Sequence, residues 1–280
     1  IAVPLIIEKV YKSKLKPIID RNKMIMSLPI IDKVIQKKIL KELTAAFGGN
    51  FYEVIIGGAA FNPEVEAFFK KIGFPLTVGY GMTECAPIIA YADWKEARLT
   101  SCGREVMNMK VRIDSSDPEN IPGEIQVSGP NVFLGYYKNE QATAEVTTDD
   151  GWFRTGDMGI IDKDGFLYIR GRSKCMILGP SGQNIYPEEI EAVVNNVNYV
   201  VDSLVIEDNG NLVSLIFPDY HQAELDGLSK EQLEERINAA LPEINKQIPN
   251  YAKIAKIEFL PEDFERTPKR SIKRYLYQRN

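Results

Sequence analysis

The chain has 280 residues, 44% of them hydrophobic, enough for packed cores and, at about 100–200 residues per domain, for two domains. Its net charge of −5 argues against bulk nucleic-acid binding, and three scattered cysteines (Cys85, Cys102, Cys175) with a single histidine, His221, give a zinc site too few clustered ligands. The cysteines read as free thiols of a reducing compartment, and no apolar run approaches the roughly 20 residues of a spanning helix.

The opening Ile1-Ala-Val-Pro4, with neither Met nor a basic leader, reads as the start of a piece cut from a longer protein. The first fifty residues are helical and basic. Ile31, Ile35, Ile39, Leu43 and Phe47 fall at helical spacing, and Gly48-Gly49 ends the helix. Lys9, Lys12, Lys14, Lys16, Lys33, Lys37, Lys38 and Lys41 occupy the other faces. A solvated surface is the plainer reading of them, with a membrane or nucleic-acid surface as the alternative.

An α/β unit follows. Phe51 to Ile56 reads as a strand ending in Gly57-Gly58. Asn62 caps a helix opened by Pro63, with Glu64 and Glu66 near the positive end of its dipole. Val65, Phe68, Phe69 and Ile72 form the apolar stripe of that helix, Gly73 stops it, and Leu76 to Val78 is a second strand. Strand–helix–strand at this spacing predicts a parallel pair, whose ligands bind beyond the carboxyl ends of the strands.

From about Leu99 to Arg172 short strands alternate with turns: Val111 to Ile113, Gly123 to Val127 and Gly165 to Ile169, which predicts an antiparallel barrel or sandwich. A third texture begins with a strand from Lys174 to Leu178 and a Gly179-to-Gly182 loop. Pro187 opens a helix carrying Ile190, Val193, Val194 and Val197 on one face. Val200 to Ile206 and Leu212 to Phe217 pair across an Asn209-Gly210 turn. Ser229 and Gln232 form a capping box for a helix with Leu233, Ile237 and Leu241, and Ile254 to Leu260 is a last strand before a basic tail.

The expected architecture is therefore α/β followed by α+β. Residues 1–173 form the carboxy-terminal part of a larger domain (1–98 an α/β unit, 99–173 a β-barrel subdomain), and residues 174–280 form a small mobile α+β domain.

Several segments could carry chemistry. In Tyr80-Gly-Met-Thr-Glu84, glycine lets backbone amides approach an anion, Thr83 offers a hydroxyl to phosphate, Glu84 is a hard oxygen ligand suited to Mg²⁺, and Tyr80 can stack on a base. Read alone, it is a strand-to-loop exit. Gly57 to Ala60 is either a close approach to a nucleotide or a tight turn.

In the segment Gly151 to Asp157 the carboxylate can accept from both ribose hydroxyls, or simply be solvated in a turn. Arg172, in Gly171-Arg-Ser-Lys174, has a donor fork for ribose or phosphate, or for a surface salt bridge, and a boundary there makes a hinge. Arg266, Lys269, Arg270, Lys273 and Arg274 crowd the tail. A lysine among them could neutralise a triphosphate, and a solvated tail is the alternative.

Each segment is ambiguous, but their order is not. Small-residue loop, Tyr-Gly-Met-Thr-Glu, Gly123-Glu-Ile125, Thr155-Gly-Asp157, Gly-Arg-x-Lys, Pro187-x-Glu-Ile-Glu191 and a basic tail together resemble the adenylate-forming superfamily of acyl-CoA ligases, luciferases and peptide-synthetase adenylation domains. Val3-Pro-Leu-Ile-Ile-Glu-Lys-Val-Tyr11, Gly171-Arg-Ser-Lys-Cys175 and Thr267-Pro268 resemble bacterial long-chain fatty acid ligases in particular.

The resemblance implies an activity: acid, ATP and CoA converted to acyl-CoA, AMP and pyrophosphate through an acyl-adenylate, with ATP/AMP, Mg²⁺ and coenzyme A as ligands. It also implies roles. Gly58, Ala59 and Ala60 line the adenine site, with Val78, Gly79, Gly81, Met82 and Ile169 contributing to nucleotide binding. Tyr80 stacks on the base, Thr83 touches the α-phosphate and Glu84 holds the metal. Asp157 binds the ribose, assisted by Arg172. Lys174 is a hinge, and the loop around Gly182 faces the pantetheine. Thr83, Glu84 and Lys273 form the implied catalytic set. A cytoplasmic protein, associated with membranes through its lipid substrate and independent of nucleic acid, is expected.

Three departures stand out. The family's Ser/Thr/Gly-rich phosphate loop and the half-domain before it are absent, so this chain alone is expected not to make acyl-adenylate. The family's tail lysine falls on Ser271, with Lys269, Arg270 or Lys273 as substitutes, and Cys175 stands where many members carry Asp. Two competing readings remain: an adenylation domain that loads a carrier protein, and a non-catalytic AMP-binding module.

Overall fold

The computed structural model describes residues 1–22, 29–267 and 271–279 and divides into two units, Ile1–Ile169 and Arg170–Asn280. In the first, Pro4 opens α1 (Pro4–Val10), which runs through one wider π turn (Tyr11–Leu15) into α2 (Lys16–Asn22). Ile7, Tyr11 and Leu15, spaced by four, bury one face. α3 (Pro29–Ala46) buries Ile39 and Leu43 in the same core.

Next come β1 (Val54–Ile56), shorter than the strand predicted from Phe51, then α4 (Pro63–Lys71) and β2 (Leu76–Val78). The strands pair in parallel, Val54 opposite Leu76. The α4 signals act as the sequence predicts. The Asn62 side chain accepts from the amides of Glu64 (2.9 Å) and Val65 (3.3 Å), and Val65 and Phe69 are buried. Phe69 and Phe74 lie edge-on at 5.3 Å in this core.

β3 (Tyr80–Gly81), β4 (Ile88–Tyr91) and β5 (Arg104–Glu105) make a three-stranded antiparallel sheet. A four-stranded sheet follows: β6 (Lys110–Asp114), β7 (Gly123–Ser128), β8 (Phe153–Ile161) and β9 (Leu167–Arg172), with α5 (Glu140–Glu145) between β7 and β8. The β6–β7 and β7–β8 pairs are antiparallel. Both sheets contribute to one core, in which Ile89 and Ala90 meet Ile125, Val127 and Leu167. Nine-residue β8 has no counterpart among the predicted strands, and β9 starts two residues later than predicted.

After the last residues of β9, the second unit makes a short helical turn at Ser173–Cys175, where a strand from Lys174 is predicted. The strand is reduced to β10 (Ile177–Leu178), paired antiparallel with β11 (Asn184–Ile185) around the Gly179–Gly182 loop. α6 (Pro187–Val194) packs on β12 (Val200–Asp208), and Val197 lies beyond its end. β13 (Asn211–Pro218) returns across Asn209 and Gly210, whose φ values of 52° and 77° suit the two-residue hairpin turn that matches strand twist.

Three helices, α7 (Tyr220–Leu225), α8 (Lys230–Asn238) and α9 (Leu241–Gln247), lead to β14 (Ile254–Phe259), parallel to β13. The capping box of Ser229 and Gln232 is formed on both sides. Leu241, predicted as a third apolar turn of α8, instead opens α9, because the chain turns at Ala239-Ala240 and Pro242 suits a first helical turn.

Emptying the centre of the first core should cost far more than removing its helix cap. Phe69→Ala is expected to lower unfolding free energy by about 3–5 kcal/mol, and Asn62→Ala by about 1 kcal/mol. Urea denaturation followed by circular dichroism checks both, and equal costs would contradict the packing described.

Candidate functional site

The carboxyl ends of β1 and β2 bring the two small-residue loops together. The amide of Gly79 donates to the carbonyl of Ile56 (2.8 Å), so the exit of β2 lies against the loop of Gly57, Gly58, Ala59 and Ala60. Gly58, Ala59 and Ala60 are exposed at this edge, and Val78 is half-buried in the core beneath. Gly81 must be glycine: a Cβ there would sit 2.1 Å from the Pro87 carbonyl oxygen.

That approach closes a tight loop between β3 and β4. The amide of Met82 donates to Pro87 (2.8 Å), Cys85 to Met82 (2.9 Å) and Ala86 to Thr83 (3.2 Å). Thr83 is exposed on the loop, Glu84 is half-buried and Cys85 is fully buried. Burial, with the adjacent Glu84 carboxylate, pushes the Cys85 thiol up to about 11.

A second segment, unforeseen in the sequence, braces this loop. Asn131 donates to the carbonyls of Cys85 (2.6 Å) and Ile88 (3.1 Å), the Phe133 amide donates to Glu84 O (2.7 Å), and the Tyr136 hydroxyl donates to Glu84 Oε1 (3.1 Å). Their one signal is an Asn-and-aromatic run directly after a strand. The loop therefore has fixed geometry, and one Glu84 oxygen is oriented by a phenol.

Asp157 reaches the same place from β8. Between Glu124↔Met158 and Gln126↔Arg154 the register shifts, so Thr155, Gly156 and Asp157 face Ile125 together as a bulge. Gly156 takes φ +71°, which favours glycine. Glu124 clamps the bulge by accepting from Gly156 N (3.2 Å) and Arg154 Nη1 (2.9 Å). Thr155 Oγ1 donates to Ile125 O (2.8 Å) and accepts from Asp157 N (3.1 Å). This is the job of Gly123-Glu124-Ile125: it holds Thr-Gly-Asp in shape.

The bulge aims Asp157, only 5% exposed, at Tyr80, whose hydroxyl donates to Asp157 Oδ2 at 2.6 Å. Ile169, on β9, packs partly buried against the same core. The structure thus brings together the two small-residue loops, Tyr80 and Asp157, with Thr83 and Glu84 on the adjoining loop. Among the described residues no group of three or more His, Cys, Asp or Glu side chains forms a ready metal cage.

Arg172, Lys174, Gly182 and Lys273 belong to the second unit. Arg172 and Lys174 are exposed at its start, and Gly182 sits at φ +81° in the exposed loop between β10 and β11. Beside that hairpin lies a cleft of about 130 Å³, lined by Asn184, Tyr186, Glu189, Ile190, Ile248 and Tyr251 among others. It is well short of the roughly 300 Å³ at which small-molecule pockets begin.

The tail is not merely solvated. Arg274 makes a two-pronged ion pair with Glu191 and lies 3.7 Å from Glu188, while Arg266 pairs with Asp202 (2.9 Å). Lys273 Nζ is held by Glu265 (3.0 Å). Lys269 and Arg270 lie outside the described residues, and Ser271 is exposed. Burial pushes the Glu191 carboxyl up to about 7 against the pull of Arg274. Arg274, despite its own burial, is held above its ordinary value by Glu191.

Two models of one enzyme family match the chain: AMP-binding enzyme over residues 4–137, and AMP-binding enzyme C-terminal domain over residues 176–280. The long-chain-fatty-acid–CoA ligase FadD15 of Mycobacterium bovis is 31% identical over 261 residues, covering 86% of this chain and 42% of that protein. The 2-succinylbenzoate–CoA ligase of Bacillus cytotoxicus is 38% identical over 180 residues, 60% of this chain and 37% of that protein. The solved structure of O-succinylbenzoate coenzyme A synthetase (MenE) from Bacillus subtilis, in complex with ATP and magnesium ion, matches with a TM-score of 0.64 and 25% identity. The match covers 84% of this chain and 49% of that one. The chain spans about half or less of the length of these relatives, and it belongs to the AMP-binding, adenylate-forming enzyme family.

The ion pair between α6 and the tail is directly testable. Arg274→Met strands a buried carboxylate and should cost about 3–5 kcal/mol near neutral pH. A carboxyl raised in the folded state above its unfolded value of about 4.3 destabilises the fold at high pH, and the penalty fades as the pH falls toward that value. The variant is therefore expected to regain stability between about pH 8 and pH 5, as measured by urea titration. A pH-independent deficit would show that Glu191 is not the stranded group.

Proposed function

We propose that this chain supplies the adenine-nucleotide site and the thioester-forming unit of an AMP-forming acid–thiol ligase. In that reaction acid, ATP and CoA give acyl-CoA, AMP and pyrophosphate through an acyl-adenylate. One observation carries the reading: Tyr80 and Asp157, 77 positions apart, meet in a 2.6 Å hydrogen bond beside the exits of two parallel strands, where α/β sheets bind ligands. A carboxylate placed there suits the two hydroxyls of a ribose, and the ring of Tyr80 suits the adenine. The exposed Gly58-Ala59-Ala60 loop, with Val78, Gly79, Gly81, Met82 and Ile169, completes the nucleotide wall.

Thr83 would meet the α-phosphate. Glu84 fits Mg²⁺, which is held by one or two carboxylates together with substrate phosphates, so a single oriented carboxylate suffices on the protein side. Bound there, the metal would neutralise phosphate charge during displacement by the acid, a reaction governed by positioning and electrostatics. In the second unit Arg172 is the proposed ribose or phosphate donor, Lys174 the hinge, Gly182 the loop facing pantetheine, and Lys273 the tail cation, which must first leave Glu265.

A long-chain fatty acid is the proposed acid, in line with the named activity of the mycobacterial relative. The Bacillus relatives, named for a succinylbenzoate substrate, make an aromatic acid the comparison to run. AMP release with CoA and a panel of fatty and aromatic acids, by a polypeptide that carries this chain and a Ser/Thr/Gly-rich phosphate loop, tests it. Turnover of aromatic acids alone would remove the fatty acid, and AMP binding without release would leave a binding module.

Nucleotide binding dissects the site. Calorimetry should show that Tyr80→Phe weakens AMP binding about tenfold through Asp157, and that Tyr80→Ala weakens it further by losing the ring. Asp157→Asn should abolish the preference for AMP over its 3′-deoxy analogue. If the unaltered protein binds the two nucleotides equally, Asp157 is not the ribose ligand.

A further inference from the structure

The segment that braces the Glu84 loop is itself anchored at each step. Phe133 lies edge-on to Phe153, the first residue of β8, with ring centroids 5.3 Å apart, and Tyr136 lies edge-on to Phe133 at 4.8 Å. The Tyr136 amide donates to Thr143 Oγ1 (2.9 Å), and that hydroxyl donates to the carbonyl of Asn139, the cap of α5 (2.9 Å). Ring and backbone of Tyr136 are therefore both fixed before its hydroxyl reaches Glu84 Oε1 at 3.1 Å. From the other side the Phe133 amide holds the Glu84 carbonyl (2.7 Å).

The two oxygens of that carboxylate are thereby made unequal. Among the described residues no hydrogen bond or ion pair reaches Glu84 Oε2. Oε1 shares its electron density with the phenol proton and is the weaker donor to a metal. Turning the carboxylate so that both oxygens face one ion would sacrifice the hydrogen bond. A carboxylate held in this way binds through one oxygen. Mg²⁺ accepts that arrangement, because it demands near-octahedral geometry and takes one or two carboxylates beside substrate phosphates. Ca²⁺ takes about six to eight oxygens and gains from a carboxylate that chelates with both.

We propose that Tyr136 is a positioning residue that sets metal selectivity: it holds Glu84 to one-oxygen coordination and so favours Mg²⁺ over Ca²⁺. The inference rests on the reading of Glu84 as the metal ligand, and it adds which oxygen binds and what occupies the other. In this role the phenol acts through Glu84 alone. Hydrogen-bond partners of ligating carboxylates carry roughly 10–100-fold in metal affinity. Here the loss should fall on one ion more than on the other, which a residue that merely stiffens the loop would not bring about.

Calorimetry of ATP binding, with no acid present, tests the proposal on a polypeptide that carries this chain and the phosphate loop. The quantity read is the gain in ATP affinity when Mg²⁺ or Ca²⁺ replaces EDTA. Tyr136→Phe keeps the ring on Phe133 and removes only the hydroxyl. It should cut the Mg²⁺ gain at least about tenfold and the Ca²⁺ gain less than about threefold, with circular dichroism unchanged. Glu84→Gln should cut both gains alike. Equal losses for the two ions in Tyr136→Phe make the phenol a general prop of the loop and overturn the proposal, as does an undiminished Mg²⁺ gain. If Glu84→Gln keeps both gains, the metal assignment fails and this inference with it. If Glu84→Gln loses them while Tyr136→Phe keeps the unaltered ratio of Mg²⁺ to Ca²⁺ gains, the inference alone fails.

Discussion

A buried carboxylate is costly unless its oxygens are satisfied, and the organisation of the first unit follows from how it satisfies Asp157. Removing an ionised group from water without partners costs several kcal/mol, so burial of this kind persists only with charge-assisted hydrogen bonds of good geometry. Tyr80 supplies one at 2.6 Å. To deliver the carboxylate there, β8 takes in extra residues opposite Ile125, Gly156 adopts a left-handed φ, and Glu124 ties the bulge from the neighbouring strand. The three-stranded sheet that follows the parallel pair places Tyr80, and the four-stranded sheet places Asp157. The bond between them fixes the register of one against the other, and it lies where the small-residue loops emerge.

The same dependence explains what could be read from the sequence. Features whose cause lies within four residues were legible: the Asn62 cap, the Pro63 and Pro187 helix starts, the Asn209-Gly210 turn and the Ser229–Gln232 box. So was the parallel pair, because its strand–helix–strand spacing constrains the topology. The bulge was not legible, since it exists only relative to a partner strand, and Gly151 to Asp157 taken alone looks like a turn. The bracing of Glu84 by Tyr136, 52 positions away, leaves no local trace either. The motifs of the site were found as words. The pairing that gives them meaning required the sheet.

The second unit shows how far ion pairs can redirect a charged segment. Read as composition, the tail is a cluster of cations open to solvent. In the fold Arg274 is drawn against α6 by Glu191, Arg266 against β12 by Asp202, and Lys273 against Glu265 by a short return of the chain, in which Thr267 N donates to Ser271 O at 2.8 Å. These pairs are unequal. The Arg274–Glu191 pair is largely shielded from water and costs dearly if broken on one side, whereas Lys273–Glu265 sits in partial solvent, where a single pair is worth little.

That inequality bears on which cation could serve a polyphosphate. A residue locked into a buried pair cannot leave it without stranding its partner, so Arg274 is structural. Lys273 is held by an exposed glutamate and can exchange that partner for a phosphate oxygen at small cost. Ser271, on which the sequence reading puts the family's lysine, carries no charge to contribute and lies two residues before Lys273. Of the described tail cations, Lys273 is therefore the one that can change partners most cheaply, and its bond to Glu265 is the contact that phosphate charge would have to outcompete.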